Sequence, residues 1–204
     1  MVDSQCVWIA LVAAFAVAFG ADAGAQRQPA SEVPVVVDYV NLPSTLEDAV
    51  SRADVIVRAR VSDPQVRTRT PGGSAVPNVV VVNTVFKLDV IDLLKRREGT
   101  PDPKEVMREG GELVTDKGAR RFVEDAFPMF DTNEEYLLFL FWNDYLGTYQ
   151  PAFGPDAAFR ITPEGLLKGL GHGPLAKRES GRGALEVGDR IRQRAALPQP
   201  EKRQ

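Results

Sequence analysis

Residues 79–94 read VVVVNTVFKLDVIDLL, and this stretch decides the fold. Val80, Val82, Thr84, Phe86, Leu88 and Val90 fall on one side of an extended chain. Val79, Val81, Asn83, Val85, Lys87, Asp89 and Ile91 fall on the other, which turns polar midway. Period two over so long a run predicts a β-strand well beyond the usual ~5–6 residues. A long strand that changes its buried face is what a small, strongly curved barrel requires.

Working outward, Asp54–Val61 (DVIVRARV) alternates as well. Val55, Val57, Ala59 and Val61 point one way; Ile56, Arg58 and Arg60 point the other. This reads as a half-buried strand, with acidic cross-strand partners expected for the two arginines. Glu135–Trp142 (EYLLFLFW) is almost continuously apolar, as a strand buried on both faces would be. Thr148–Phe153 and Ala157–Ile161 read as further short strands. Residues 105–115 read as one strand interrupted at Gly110-Gly111, and Gly165–Gly173 as a glycine-rich strand or loop.

Other segments read as connections. Ser44-Thr45-Leu46-Glu47 is a capping box that opens a short helix ending near Ala53. Ser62–Asn78, with Pro64, Pro71-Gly72-Gly73 and Pro77, reads as a long loop. Lys95–Lys104 reads as a charged turn and Gly118–Ala126 as a helical turn. Residues 26–43 read as a lead-in, with a short strand within Val35–Val40. Residues 174–204 carry eight basic and four acidic residues; Ala184–Ala195 has the spacing for a helix, but its apolar stripe of Leu185 and Ile191 is thin, so the segment reads as a mostly disordered tail. No internal repeat is visible. The expected fold is therefore mainly β: an OB-like Greek-key barrel over 44–173, one short N-terminal helix and the disordered C-terminal tail.

The first 25 residues read differently. Val7–Ala21 is uncharged and apolar, and at about 1.5 Å per residue it reaches ~22 Å, short of the ~30 Å hydrocarbon core. Ala21-Asp22-Ala23 and Ala23-Gly24-Ala25 follow as small-x-small cleavage sites. Residues 1–25 thus read as a signal peptide, although the six residues ahead of the apolar run hold no Lys or Arg. Export to the periplasm or the exterior is expected, without stable membrane insertion after cleavage. The chain's single cysteine, Cys6, precedes the run, so the exported part would rely on its core alone. That part would hold 26 acidic and 25 basic residues, which excludes a basic nucleic-acid binder.

The layout ADVIVRARV at 53–61, followed by the long valine strand and Glu134-Glu135-Tyr136-Leu137-Leu138-Phe139, resembles the netrin-like barrel of tissue inhibitors of metalloproteinases. Many uncharacterised exported bacterial proteins share this layout. The likeness covers about residues 45–162 and implies an OB-like fold. Those inhibitors hold the protease zinc through an N-terminal cysteine fixed by disulfides. The exported part here has no cysteine, so no inhibitory residue carries over.

Candidate chemistry is sparse. His172, the one histidine, lies in Gly169-Leu170-Gly171-His172-Gly173 and reads as an exposed loop residue; no G-x-S-x-G elbow accompanies it. Asp125, Asp131, Glu134 and Glu135 match no calcium loop and read as solvated turn charges. Arg58, Arg60, Arg67 and Arg69 lack interleaved aromatics. No catalytic residue, metal or cofactor is expected. The expected role is a non-enzymatic module that binds a protein or envelope component, with the alternative of a secreted hydrolase using the carboxylates near Asp131. The expected contact residues are Trp142, Tyr145 and Tyr149, next to the 62–78 loop.

Overall fold

The computed structural model describes residues 31–35, 37, 39, 41–69, 80–116 and 118–196. The proposed signal peptide, the lead-in up to 30, residues 70–78 of the expected loop and 197–204 of the expected tail lie outside the described residues. In chain order the elements are β1 (Ser31–Pro34), α1 (Leu46–Arg52), β2 (Val55–Arg69), β3 (Val81–Arg96), β4 (Glu105–Glu109), β5 (Gly111–Thr115), β6 (Gly118–Val123), β7 (Glu135–Asn143), β8 (Thr148–Pro155), β9 (Ala158–Ile161), β10 (Leu167–Gly169), α2 (Pro174–Glu179) and α3 (Ala184–Ala195). The protein is mainly β, with three helices among the described residues. None of these helices is long and apolar enough to cross a membrane.

The two alternating segments pair with each other. β2 and β3 form an antiparallel ribbon from Val55↔Arg96 to Arg69↔Val81. β7 takes the other edge of β2, and β4 takes the other edge of β3. β8 touches β4 through a single parallel bridge, Val106↔Tyr149, and pairs antiparallel with β7 from Leu140↔Pro151 to Asn143↔Thr148. The hydrogen-bonded neighbours therefore run β7-β2-β3-β4-β8 and return to β7. β9 and β10 extend the sheet from the N-terminal half of β7. A second sheet has the order β1-β6-β5.

Side-chain alternation divides the interior in two. Val55, Val57, Ala59 and Val61 join Phe86, Leu88, Val106, Tyr136, Leu138 and Leu140 in one cluster. Ile56, Leu137, Phe139 and Phe159 point to a second cluster, shared with Leu46 and Val50 of α1, Leu175 of α2 and Val187 and Ile191 of α3. β7 thus feeds both cores, as its unbroken apolar run implies.

Three bulges bend the ribbon. Ile91 and Leu94 are unpaired extras on β3, and Asp63-Pro64 is the extra on β2. A bulge redirects side chains: Leu88 lies in the first cluster, whereas Leu94 lies in the second. The expected change of buried face is present, with Val90, Ile91 and Leu93 exposed between.

Four expectations are corrected. The loop expected from Ser62 is strand as far as Arg69. Pro64 needs no ladder donor because it sits in a bulge, where Asp63 adopts φ +47°. The helical turn expected at 118–126 is the strand β6, paired with both β1 and β5. The helix cap is Thr45 rather than Ser44; its Oγ1 accepts the Asp48 N–H at 3.1 Å. The tail expected to be disordered holds α2 and α3, so the single N-terminal helix becomes three. Leu175, Val187 and Ile191 are fully buried. Gly188 of α3 faces Leu94 of β3.

Candidate functional site

The β7–β8 hairpin carries the three expected contact residues. Asn143 shapes its turn: the backbone carbonyl accepts the Gly147 N–H at 2.8 Å and Oδ1 accepts the Leu146 N–H at 3.1 Å. Gly147 adopts φ +62°, which glycine takes without strain. Trp142 and Tyr149 are cross-strand partners, with ring centroids 5.0 Å apart and edge to face. Tyr149 is 1% exposed and its hydroxyl donates to the Pro101 carbonyl at 2.6 Å, so it supports the platform from below. Trp142 is half-buried, and its backbone N–H donates to the Asp54 carboxylate at 2.9 Å. Tyr145 projects from the turn at 77% exposure. The Arg69 guanidinium lies 5.7 Å from its ring centroid. The end of the former loop region and the hairpin are thus brought together, Trp142 and Tyr149 touch, and Tyr145 stands clear of both.

The carboxylates near Asp131 divide between two groups of arginines. Asp131 and Glu134 each pair with Arg160, at 3.1 and 2.9 Å. Glu135 holds Arg58 at 2.7 Å and Arg60 at 3.0 Å, which supplies the expected acidic partner for both arginines. Those contacts hold the Glu135 carboxyl below its usual range, Arg58 foremost. Asp125 and His172 are exposed. Among the described residues, no group of three or more His, Cys, Asp or Glu is placed to hold a metal ion.

A second arrangement escaped the sequence reading. Beyond the Val106↔Tyr149 bridge, β4 and β8 part, and the seam between them is filled by Tyr39 and Arg108. Arg108, 2% exposed, reaches Glu124, 4% exposed, at 3.2 Å. It also donates to the carbonyls of Pro128, at 2.8 Å, and Phe127, and its guanidinium lies 3.1 Å from the Phe127 ring centroid. The Tyr39 hydroxyl donates to the other Glu124 oxygen at 2.6 Å. Its ring rests on the Gly154 backbone, where a Cβ would meet Tyr39 Cε1 at 2.1 Å.

Burial governs this seam electrically. It lowers the Arg108 pKa to about 10 against the pull of Glu124, and raises Glu124, Glu109 and Tyr39. Next to Tyr39 remains a cavity of about 30 Å³, lined in part by Glu109, Gln150 and Pro151. The three charged or hydroxylated groups come from positions 39, 108 and 124. No local motif announces them: Arg108 lies in a short strand that also carries Glu105 and Glu109, so its sequence reads as that of an exposed edge.

Comparison with known protein families and with curated proteins finds no match for this chain.

Proposed function

We propose that this chain is an exported, non-enzymatic OB-like Greek-key barrel module that binds a protein or envelope component through its β7–β8 hairpin. The strand order supports the fold: β7 returns to lie beside β2, giving the fourth-first-second-third arrangement of a Greek key, and β8 bridges β7 to β4. The netrin-like layout supports the same reading. Export rests on the apolar segment Val7–Ala21 and the small residues after it.

The observation that carries the binding role is the aromatic platform. Tyr145 is exposed beside the Arg69 guanidinium, and Trp142 is fixed by a buried Tyr149 behind it. Tyr, Trp and Arg supply most binding energy at protein interfaces, and a rigid platform loses little entropy on association. The hydrolase alternative has less support, since Asp131, Glu134 and Glu135 are each engaged by arginine.

The test is capture from an envelope extract by the immobilised protein, comparing wild type with Tyr145→Ala. The wild type is expected to retain a saturable partner. Tyr145→Ala, with unchanged circular dichroism, is expected to lose at least tenfold in affinity, equivalent to about 1.4 kcal/mol. Equal capture by both proteins would remove the hairpin from the interface.

A further inference from the structure

Half-buried arginines on this sheet hold acids. Arg58 takes Glu135 at 2.7 Å, and Arg160 takes Asp131 and Glu134 at 3.1 and 2.9 Å. Arg67, two residues before Arg69 and on the same face of β2, reaches Glu105 at 3.5 Å. Arg69 is half-buried too, yet among the described residues it makes no ion pair or hydrogen bond, and its Nε is withdrawn from water unpaired. A donor left in that state carries its desolvation cost without return, and such groups concentrate where something else completes them.

Two neighbours define what completes this one. The Tyr145 ring, 77% exposed, has its centroid 5.7 Å from the Arg69 guanidinium. Cation–π attraction holds the guanidinium beside the ring without using any N–H hydrogen bond. The turn that carries Tyr145 is fixed by the Asn143 carbonyl and side chain, so the pair is set in place by the fold. The second neighbour is Glu109. The register places it on the same face as Arg69, across β3, where Arg69 faces Val81 and Asn83 faces Glu109. Glu109 feels the charge of Arg69 but makes no ion pair with it. Among the described residues, then, no carboxylate contacts Arg69.

We propose that Arg69 takes a carboxylate from an acidic segment of a partner protein, with Tyr145 covering the apolar part of that segment. The inference rests on the binding role of the hairpin and names the chemistry of its partner. A carboxylate accepts two guanidinium N–H groups at once, which adds direction as well as strength. Tyrosine beside arginine is the pairing that dominates protein interfaces, which favours a protein over a glycan as the source of the acid.

The experiment uses the full chain and two labelled, end-capped hexapeptides, one alternating leucine with glutamate and the other leucine with glutamine, read by fluorescence anisotropy. The wild type is expected to prefer the glutamate peptide by about fivefold, the upper range for a part-exposed ion pair. The preference is expected to shrink as ionic strength rises. Arg69→Gln, with unchanged circular dichroism, is expected to bind the two peptides equally, and Arg69→Lys to keep part of the preference. Tyr145→Ala is expected to weaken both peptides. Equal affinity of the wild type for the two peptides, a preference that survives in Arg69→Gln, or no binding of the glutamate peptide at ~1 mM would overturn the proposal. Tighter binding of trigalacturonate, which matches the glutamate peptide in carboxylates, would also overturn it by assigning the site to an acidic glycan. The hairpin reading fails separately, if Tyr145→Ala leaves both peptides bound as in the wild type.

Discussion

Arg108 places a positive charge inside the fold. Its side chain is withdrawn from water, so its charge is tolerated only because Glu124 and two backbone carbonyls receive its N–H groups. Arg108→Leu would leave Glu124 buried without its counter-ion. Such orphaned charges cost about 3–5 kcal/mol. Removing both charges in Arg108→Leu/Glu124→Leu should recover most of that loss, because the penalty belongs to the unpaired carboxylate rather than to the site's volume. Urea unfolding of the wild type, the single variant and the double variant measures it. A double variant no more stable than the single one would mean that the arginine is held by its carbonyl and ring contacts alone.

The elements differ in how plainly the sequence announces them. β7 and the first half of β2, as far as Val61, were legible because their continuous apolar and period-two patterns reflect burial on two faces and on one, which side-chain chemistry alone determines. α3 was not legible. Its buried residues are only Val187, Gly188 and Ile191, and its arginines suggested solvent. Those arginines find acids on distant elements: Arg190 meets Glu179 of α2 at 3.1 Å and Glu47 of α1 at 3.8 Å, and Arg192 pairs with Asp92 of β3. The seam escaped for the same reason, since Tyr39 and Glu124 are 85 positions apart. If α3 is part of the core, Ile191→Ala should destabilise the whole unfolding transition by about 2–5 kcal/mol, whereas Leu185→Ala, at a site 69% exposed, should fall within about 0.5 kcal/mol. Thermal unfolding of both variants distinguishes a packed helix from a peripheral tail, for which the two changes would be equally silent.

Across the whole molecule the carboxylates divide into two populations with opposite responses to pH. Glu109, Glu124 and Asp156 are raised above their usual range chiefly by burial. For each, the folded protein holds the proton more tightly than the unfolded chain. Their contribution to stability is therefore complete below the ordinary carboxylate range and is lost as pH rises through the raised value. Glu135 is lowered, first by its hydrogen bond to Arg58, so its contribution is present above the ordinary range and is lost as pH falls. As pH falls, the buried Glu109 carboxyl sheds a costly charge while the Arg58–Glu135–Arg60 surface bridge loosens. Two variants separate these slopes. Glu109→Gln removes a group that is costly when charged, so its stability relative to wild type should rise between about pH 4 and pH 7. Glu135→Gln should cost about 1 kcal/mol near pH 7, and that cost should vanish near pH 3. Urea unfolding across this range gives both curves. Parallel slopes for the two variants would show that seam and surface share one electrostatic environment, and would remove burial as the reason that the Glu109 carboxyl is raised.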